Sequence, residues 1–285
     1  MKCKTPQCAL RPACHRALEK AAFFVVLLVN LIPFIWGAMT SLKPARDILA
    51  YPPSFLGFKT DLVHYRTVFS NTFLIGILNS LLYSLVAIAL GLVLALMAAY
   101  ALKRFLFRGR KAFFVLVLSG IPLAIGSAAM VVPNYVFFSY LGFANRWFTL
   151  PILYTAYNLP MAIWIMVGGM EGVPVEIDEA AKVDGASRAY ILFRLIPRIT
   201  LPALASAALF IFLGAWNEFV ASSVLVSTPA LYPVQVSIYT YLGYFGVEWG
   251  PLTAAATAAI VPTLIVFTIL GKLLVSGLTA GSVKE

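Results

Sequence analysis

The sequence predicts an all-α membrane protein with six transmembrane helices. Of its 285 residues, 61% are hydrophobic and 11% are charged, whereas soluble domains are about 25% charged. A helix needs roughly 20 apolar residues to cross the hydrocarbon core of a bilayer. Six segments are long enough, and they define one membrane domain over 21–275 with spans at 20–39, 73–101, 112–133, 148–170, 203–226 and 251–275.

The distribution of basic residues predicts that both termini lie in the cytoplasm. Six spans put the two ends on one side, and 16 of the 21 Lys and Arg residues fall in the tails and connections of that side. Positively charged segments resist translocation. We therefore expect cytoplasmic tails at 1–20 and 276–285. The net charge of +10 then reflects topology and anionic lipid rather than nucleic acid.

The amino-terminal tail and the first span resemble a signal peptide only superficially. The apolar run at 20–39 is longer than the 7–15 residues of a signal-peptide core, so we expect it to be retained. All three cysteines, Cys3, Cys8 and Cys14, lie in this tail, and their spacing differs from the paired C-x2-C of structural zinc sites. Reduced thiols in a mobile tail are expected, with a metal or redox site as the alternative.

Prolines and one basic loop mark the next part of the chain. The loop KRFLFRGRK at 103–111 has five cations in nine residues, which suits a short turn at the lipid headgroups. Prolines are tolerated in membrane helices, where they bend the helix. Such bends either shape a pathway or only fix packing, and here they are expected at Pro122, Pro133, Pro151 and Pro160.

The fifth span contains the polar sequence Trp216-Asn217-Glu218. A carboxylate in an apolar span costs several kcal/mol unless it faces a cavity, a partner or the interface. These three residues therefore form either a polar patch inside the membrane or a solvated group near its surface.

The polar connection at 171–202 between the fourth and fifth spans predicts a short surface helix. Pro174 suits the first position of a helix, and the acidic residues that follow it favour the positive end of the helix dipole. Asp184-Gly185 supplies a turn, and Ser187 can cap a second helix. Ala180 and Ala181 leave a face of small side chains that a protein partner could approach closely. The alternative is an amphipathic connector that rests on lipid.

These residues carry a resemblance. EAAKVDGAS at 179–187 is similar to the cytoplasmic loop signature of permease subunits of ATP-binding-cassette importers. The similarity extends over nearly the whole chain and is strongest to the carbohydrate-uptake branch, in particular to its maltose-permease G-like subunits. It rests on TSLKP at 40–44, Pro52-Pro53, Asn79-Ser80, AAYAL at 98–102 with FRGR after it, AWNEF at 215–219 and GLTAGSVK at 277–284. One feature departs from the family, because Pro197 lies one residue early, whereas Pro202 matches.

The resemblance implies a cytoplasmic coupling helix between the fourth and fifth spans. It implies four kinds of partner: a homologous second permease subunit, two cytoplasmic ATPases, an external solute-binding protein and a sugar. The ATPase contacts would be Glu176, Asp178, Glu179, Ala180, Ala181, Asp184, Gly185, Ala186 and Ser187. The candidates for the translocation path would be Trp216, Asn217 and Glu218.

The chain itself is expected to be a non-enzymatic subunit in a bacterial-type inner membrane, without cofactor, metal or catalytic residue. It contains no G-x-x-x-x-G-K-[ST] phosphate loop, which ATP hydrolysis by such systems requires. An ion-driven secondary transporter would show an internal repeat and coupling acids. An intramembrane enzyme would need a site that His15 and His64, both outside the spans, cannot supply. The solute is undetermined, and a non-sugar importer remains the nearest alternative.

Overall fold

The structure is a computed structural model that describes residues 6–55, 57–70, 72–125, 127–243 and 246–281. It describes side chains within these ranges except those of 6–18, 123–128 and 274–281. Cys3 and the carboxyl-terminal residues 282–285 of the predicted tail lie outside the described residues, as do the side chains of Cys8 and Cys14. The chain forms two compact units, Met1–Val68 with Tyr241–Ala258 and Phe69–Thr240 with Ala259–Glu285.

The described residues are mostly helical, as the composition predicts. A two-stranded antiparallel ribbon pairs β1 (Leu242–Gly243) with β2 (Gly246–Val247). A π-helical turn covers Ile191–Leu195, and a 3-10 turn covers Pro229–Leu231. The α-helices in chain order are α1 (Pro6–Thr40), α2 (Ala45–Ile48), α3 (Val63–Ser70), α4 (Phe73–Arg104), α5 (Arg110–Leu118), α6 (Gly120–Ile125), α7 (Ser127–Tyr140), α8 (Thr149–Glu171), α9 (Val175–Val183), α10 (Arg188–Tyr190), α11 (Ile196–Ile199), α12 (Leu201–Asn217), α13 (Val220–Leu225), α14 (Val234–Tyr239) and α15 (Trp249–Gly281).

Four described helical segments are long and apolar enough to cross a membrane. They are Glu19–Thr40, Phe73–Arg104, Thr149–Glu171 and Trp249–Leu273, and they correspond to the first, second, fourth and sixth predicted spans. A fifth candidate is the bent pair Arg188–Ile199 and Leu201–Asn217. The sequence-based count of six spans is therefore supported only in part.

The predicted third span at 112–133 is not a single helix, because α5, α6 and α7 divide it. Ser119 separates α5 from α6, and Pro122 is the third residue of α6. Proline has no N–H to donate to the carbonyl four residues earlier, so Pro122 leaves the Leu118 carbonyl without its helical partner. Pro133, by contrast, lies inside the continuous helix α7.

The predicted fifth span at 203–226 is also interrupted. α12 ends at Asn217, and α13 begins at Val220. At the other end of α12, the chain bends by 86° between Ile199 and Leu201. Pro197 falls at the start of α11 and Pro202 at the start of α12, where a missing N–H is tolerated. The early position of Pro197 thus leaves the second helix intact.

The first unit contains a buried lysine held by aromatic rings. α1 begins at Pro6, so the predicted tail is helical from that residue onward. Lys43 is 1% exposed, and its ammonium lies 4.4 Å from the centroid of the Trp36 ring and 5.4 Å from that of Phe58. The His64 ring lies 2.9 Å from the Lys43 carbonyl oxygen, which orders the segment after α1.

The core of the second unit lies where α4 packs against α8 and α12. Large buried side chains such as Tyr83, Tyr154 and Met166 fill this core. Small residues let the helix backbones approach closely, as is usual within membranes. At Gly91, for example, a Cβ atom would lie 2.8 Å from the Ile211 side chain. The three packed helices form the framework that positions both candidate sites.

Candidate functional site

The connection at 171–202 contains the surface helix that the sequence predicts. Pro174 occupies the position before α9, with Glu176 and Asp178 in the first turn and Lys182 in the last, an order that suits the helix dipole. Gly185 ends the helix in the left-handed conformation, with φ of +84°, which glycine adopts without steric cost.

A capped second helix follows the turn. The Ala186 N–H donates to the Ala181 carbonyl over 2.8 Å, which closes the end of α9. Ser187 accepts a hydrogen bond from the Tyr190 N–H at 3.2 Å and so caps α10, as predicted. Ile191 and Ile196 beyond it are fully buried, so the connection is packed onto the helical core.

The residues predicted to contact a partner are mostly accessible on α9 and its turn. Ala181 and Ala186 are half-buried, and Val183 is 87% exposed. The remaining exposed members of the predicted set are Glu176, Glu179, Ala180, Asp184, Gly185 and Ser187. An exposed apolar side chain among carboxylates gives this surface the mixed character of a protein-docking site.

Asp178 differs from the other residues of the set because it points into the protein. It is 1% exposed. Its two carboxylate oxygens accept hydrogen bonds from Arg104, over 3.0 Å from Nε and 3.1 Å from Nη2. The Tyr100 hydroxyl donates to the same carboxylate over 3.0 Å. A bidentate arginine and a phenol satisfy the buried charge, so Asp178 attaches α9 to the end of α4.

Arg104 fixes the start of α9 as well. Its Nη2 donates to the carbonyls of Val173 and Pro174 over 3.1 and 3.3 Å. Sequence reasoning missed Arg104 and Tyr100 as functional residues. They lie within the AAYAL segment and the basic loop that follows it, but nothing in either stretch indicates a carboxylate more than seventy residues away.

A second candidate site is a cavity of about 370 Å³ beside the break between α12 and α13. Asn217 and Glu218 line it, as the sequence suggested for a polar patch. The Asn217 amide donates to the Leu213 carbonyl over 2.9 Å. The other lining residues are Ile121, Tyr157, Asn158, Met161, Phe210, Gly214, Phe219 and Val220.

Glu218 is held by the first turn of α13. Its carboxylate accepts hydrogen bonds from the Ala221 and Ser222 N–H groups over 2.7 and 3.0 Å, and a third from the Ser222 hydroxyl. These bonds satisfy N–H groups that every helix leaves unpaired at its start. They also offset the cost of a carboxylate in an apolar region and explain why the helix breaks here.

Trp216 does not line the cavity. It is 2% exposed, and its ring stacks on that of Phe212 at 5.4 Å between centroids. Its position therefore supports α12 from within the core, whereas the two residues after it face the cavity.

Sequence reasoning missed three residues of the cavity, Tyr157, Asn158 and Gly214. Asn158 donates to the Tyr154 carbonyl over 2.8 Å, and Tyr157 accepts a hydrogen bond from the Asn134 amide at 2.6 Å. A side chain at Gly214 would collide with the Asn158 amide, so this glycine lets α8 and α12 meet. An asparagine beside the predicted proline bend at Pro160 was the available signal.

The cavity can hold a small polar solute but shows no chemistry for bond making. Amides, a phenol and a carboxylate offer hydrogen bonds, and Phe210 and Phe219 offer apolar contact. Among the residues with described side chains, no group of three or more His, Cys, Asp or Glu residues is placed to hold a metal ion.

Comparison with known proteins gives consistent matches. A family model described as "Binding-protein-dependent transport system inner membrane component" matches residues 87–280. The chain is 33% identical over 263 residues to the sulfoquinovosyl glycerol transport system permease protein of Agrobacterium fabrum, with 91% of each protein covered. It is 32% identical over 271 residues to the trehalose/maltose transport system permease protein of Thermococcus litoralis, covering 91% of this chain and 94% of that protein.

The fold is also found among solved structures. A chain of a bacterial ABC transporter involved in the import of the acidic polysaccharide alginate matches with a TM-score of 0.76 and 20% sequence identity. The match covers 95% of this chain and 99% of that one.

Proposed function

The chain belongs to the family of inner membrane components of binding-protein-dependent transport systems, and from this premise we propose that it is a permease subunit of an ATP-driven carbohydrate importer. Family members are not ATPases themselves, because hydrolysis takes place in a separate subunit. The observation that carries the proposal is the family match together with an exposed helix α9 that is attached to the core through a buried ion pair.

The proposed solute is a sugar or a glycoside. The relatives named above transport sulfoquinovosyl glycerol and trehalose or maltose by their descriptions. Polar amides, a carboxylate and aromatic rings in one cavity suit a polyhydroxylated solute. Asn217 and Glu218 would border its path, with Tyr157 and Asn158 on the facing helix α8.

The proposed partners are a homologous second permease subunit, two cytoplasmic ATPases and an external solute-binding protein. The exposed residues of α9 and its turn, Glu179 and Gly185 among them, would sit against the ATPase. Motion of the ATPase would then pass through Asp178 and Arg104 to α4. A conformational change of this kind requires contacts that differ between the two states, and a rigid attachment of α9 to α4 transmits such a difference.

The proposed topology has six spans and cytoplasmic termini. In this arrangement α5 to α7 together form the third span, and α12 with α13 forms the fifth. The basic loop at 103–111 and α9 would share the cytoplasmic side, in keeping with the ion pair of 2.8 Å between Lys103 and Glu171 at the ends of α4 and α8.

Co-purification and uptake test the proposal. The full-length chain, isolated from its native membrane in mild detergent, should bring with it a second permease and an ATPase whose sequence contains a phosphate loop. The reconstituted complex with its binding protein should accumulate labelled sugar only when ATP is present on the α9 side. Uptake driven by an ion gradient without ATP would contradict the function, and ATP-driven uptake of a non-sugar solute would contradict the substrate class.

A further inference from the structure

A basic cavity lies at the ends of three helices, apart from α9 and from the transport cavity. It encloses about 550 Å³. The end of α4, the start of α5 and the end of α8 surround it. Its lining residues are Leu102, Lys103, Arg110, Lys111, Phe114, Trp164, Ile165, Val167, Gly168 and Glu171.

The cavity carries two cations without acidic partners. Lys103 is neutralised by Glu171, whose carboxylate lies 2.8 Å away. Arg110 is half-buried, and Lys111 is exposed. Within the part of the chain that the structure describes, neither of these two side chains pairs with a carboxylate. The cavity therefore has a net positive charge that suits an anion.

The surroundings of the two cations are apolar. Phe114, Ile165 and Val167 form walls of the cavity, and Trp164 is 50% exposed at its edge. A second hollow of about 440 Å³ shares Lys111 with the cavity and continues along α5. Its other lining residues are Ala112, Val115, Leu116 and Ser119.

The apolar hollow distinguishes a lipid from a free anion. Val115 and Leu116, which line it, are 64% and 70% exposed. A soluble phosphate would use only the basic cavity and would leave this hydrocarbon groove uncovered. A phospholipid would fill both, because its acyl chain starts next to its charged headgroup.

We propose that this cavity binds the headgroup of an anionic phospholipid, with the phosphodiester between Arg110 and Lys111. One acyl chain lies in the groove of α5, and Trp164 packs at the boundary between headgroup and chain, where tryptophan is favoured. Basic pockets between membrane helices recognise acidic headgroups through the same charge complementarity.

Lipid titration of the full-length chain tests the proposal. The purified protein in detergent would be titrated with phosphatidylglycerol, phosphatidylcholine or inorganic phosphate, and bound molecules would be counted by native mass spectrometry. Phosphatidylglycerol should bind in preference to the other two probes. The double change Arg110→Gln and Lys111→Gln should raise its apparent Kd about tenfold or more.

Arg108 provides a matched control, because it belongs to the same loop and is exposed but does not line the cavity. Arg108→Gln should leave the apparent Kd within about twofold. An equal loss in this variant, equal binding of phosphatidylcholine, or displacement of the lipid by inorganic phosphate at matched concentration would overturn the proposal.

A second readout does not depend on the charge variants. Phosphatidylglycerol brominated on its acyl chains should quench the fluorescence of Trp164. The Trp164→Phe chain should then lose more of the quenching than Trp147→Phe, whose side chain is similarly exposed at 52% but lies outside the cavity. Equal losses in the two variants would also reject the site.

Discussion

The carboxylate of Asp178 has a different environment from the other acidic groups of α9. Glu176 and Glu179 are exposed, whereas Asp178 is enclosed by Arg104 and Tyr100. One helix thus carries acids of two kinds, those that a partner can reach and one that attaches the helix to α4. The same division occurs beside the transport cavity, where Asn217 is exposed and Trp216 is buried.

We predict that Asp178→Ala destabilises the protein and uncouples it. Removing one partner leaves the buried Arg104 charge unpaired, which costs about 3–5 kcal/mol. The thermal midpoint of the purified chain should fall, and sugar uptake should be lost more completely than assembly with the ATPase. Glu176→Gln, an exposed neighbour, should leave the midpoint unchanged.

A double variant separates stability from coupling at this site. In Arg104→Met with Asp178→Leu an apolar pair replaces the ion pair, and such exchanges are often neutral in stability. We expect the thermal midpoint to recover while the hydrogen bonds to Val173 and Pro174 remain absent. Full uptake in Asp178→Ala would show that the ion pair does not connect α9 to transport.

A second residue-scale prediction concerns Asn217 in the transport cavity. Losing one hydrogen bond of about 1 kcal/mol should weaken the apparent sugar affinity of Asn217→Ala roughly fivefold, with normal recovery of the complex. Glu218→Gln should lower recovery as well, because both oxygens of Glu218 bind the start of α13. Reduced recovery with unchanged affinity in both variants would exclude a path-lining role.

At the scale of the element, α9 is short and is defined by its ends. Pro174 precedes it, Gly185 ends it, and Ser187 starts the next helix. Nine residues are too few for a stable isolated helix in water. The helix therefore depends on its attachment to α4 and on the packing of Ile191 and Ile196 behind it.

Gly185→Val tests the turn that ends α9. A β-branched residue at a φ of +84° costs on the order of 1–2 kcal/mol or more and would redirect the exposed surface. Uptake and stimulation of the ATPase should both fall, although the chain still inserts into the membrane.

Gly172→Val is the matched control for this turn. Gly172 lies in the same connection, has a negative φ of −81°, and has no atom close to the position of an added Cβ. It should support transport near the level of the unmodified chain. If Gly185→Val transported normally, with normal ATPase stimulation, the docking role of this turn would be wrong.

At the scale of the whole molecule, the asymmetry of basic residues predicts the orientation. In a chain with Cys3, Cys8 and Cys14 changed to serine, cysteine would be placed at Lys182 or at Ala230, both of which are exposed. An impermeant thiol reagent added to intact cells should label Ala230→Cys and spare Lys182→Cys. The reverse pattern would invert the topology.

The sequence by itself determined the helical membrane class, the family and the surface helix with its glycine turn. Each depends on a local property, such as the transfer free energy of an apolar run or the conformational freedom of Gly185. It overestimated the continuity of the third and fifth spans, because a mean apolar character does not register the missing N–H of Pro122 or the capping by Glu218.

Only the tertiary structure decided which side chains meet. Arg104 and Asp178 are separated by 74 positions in the chain, and Asn158 lies against Gly214 from another helix. The basic cavity likewise combines the ends of three helices. The face that each helix turns towards its neighbours is set by close packing of small and large residues along its whole length, and no local pattern in a nearly uniform apolar helix specifies that face.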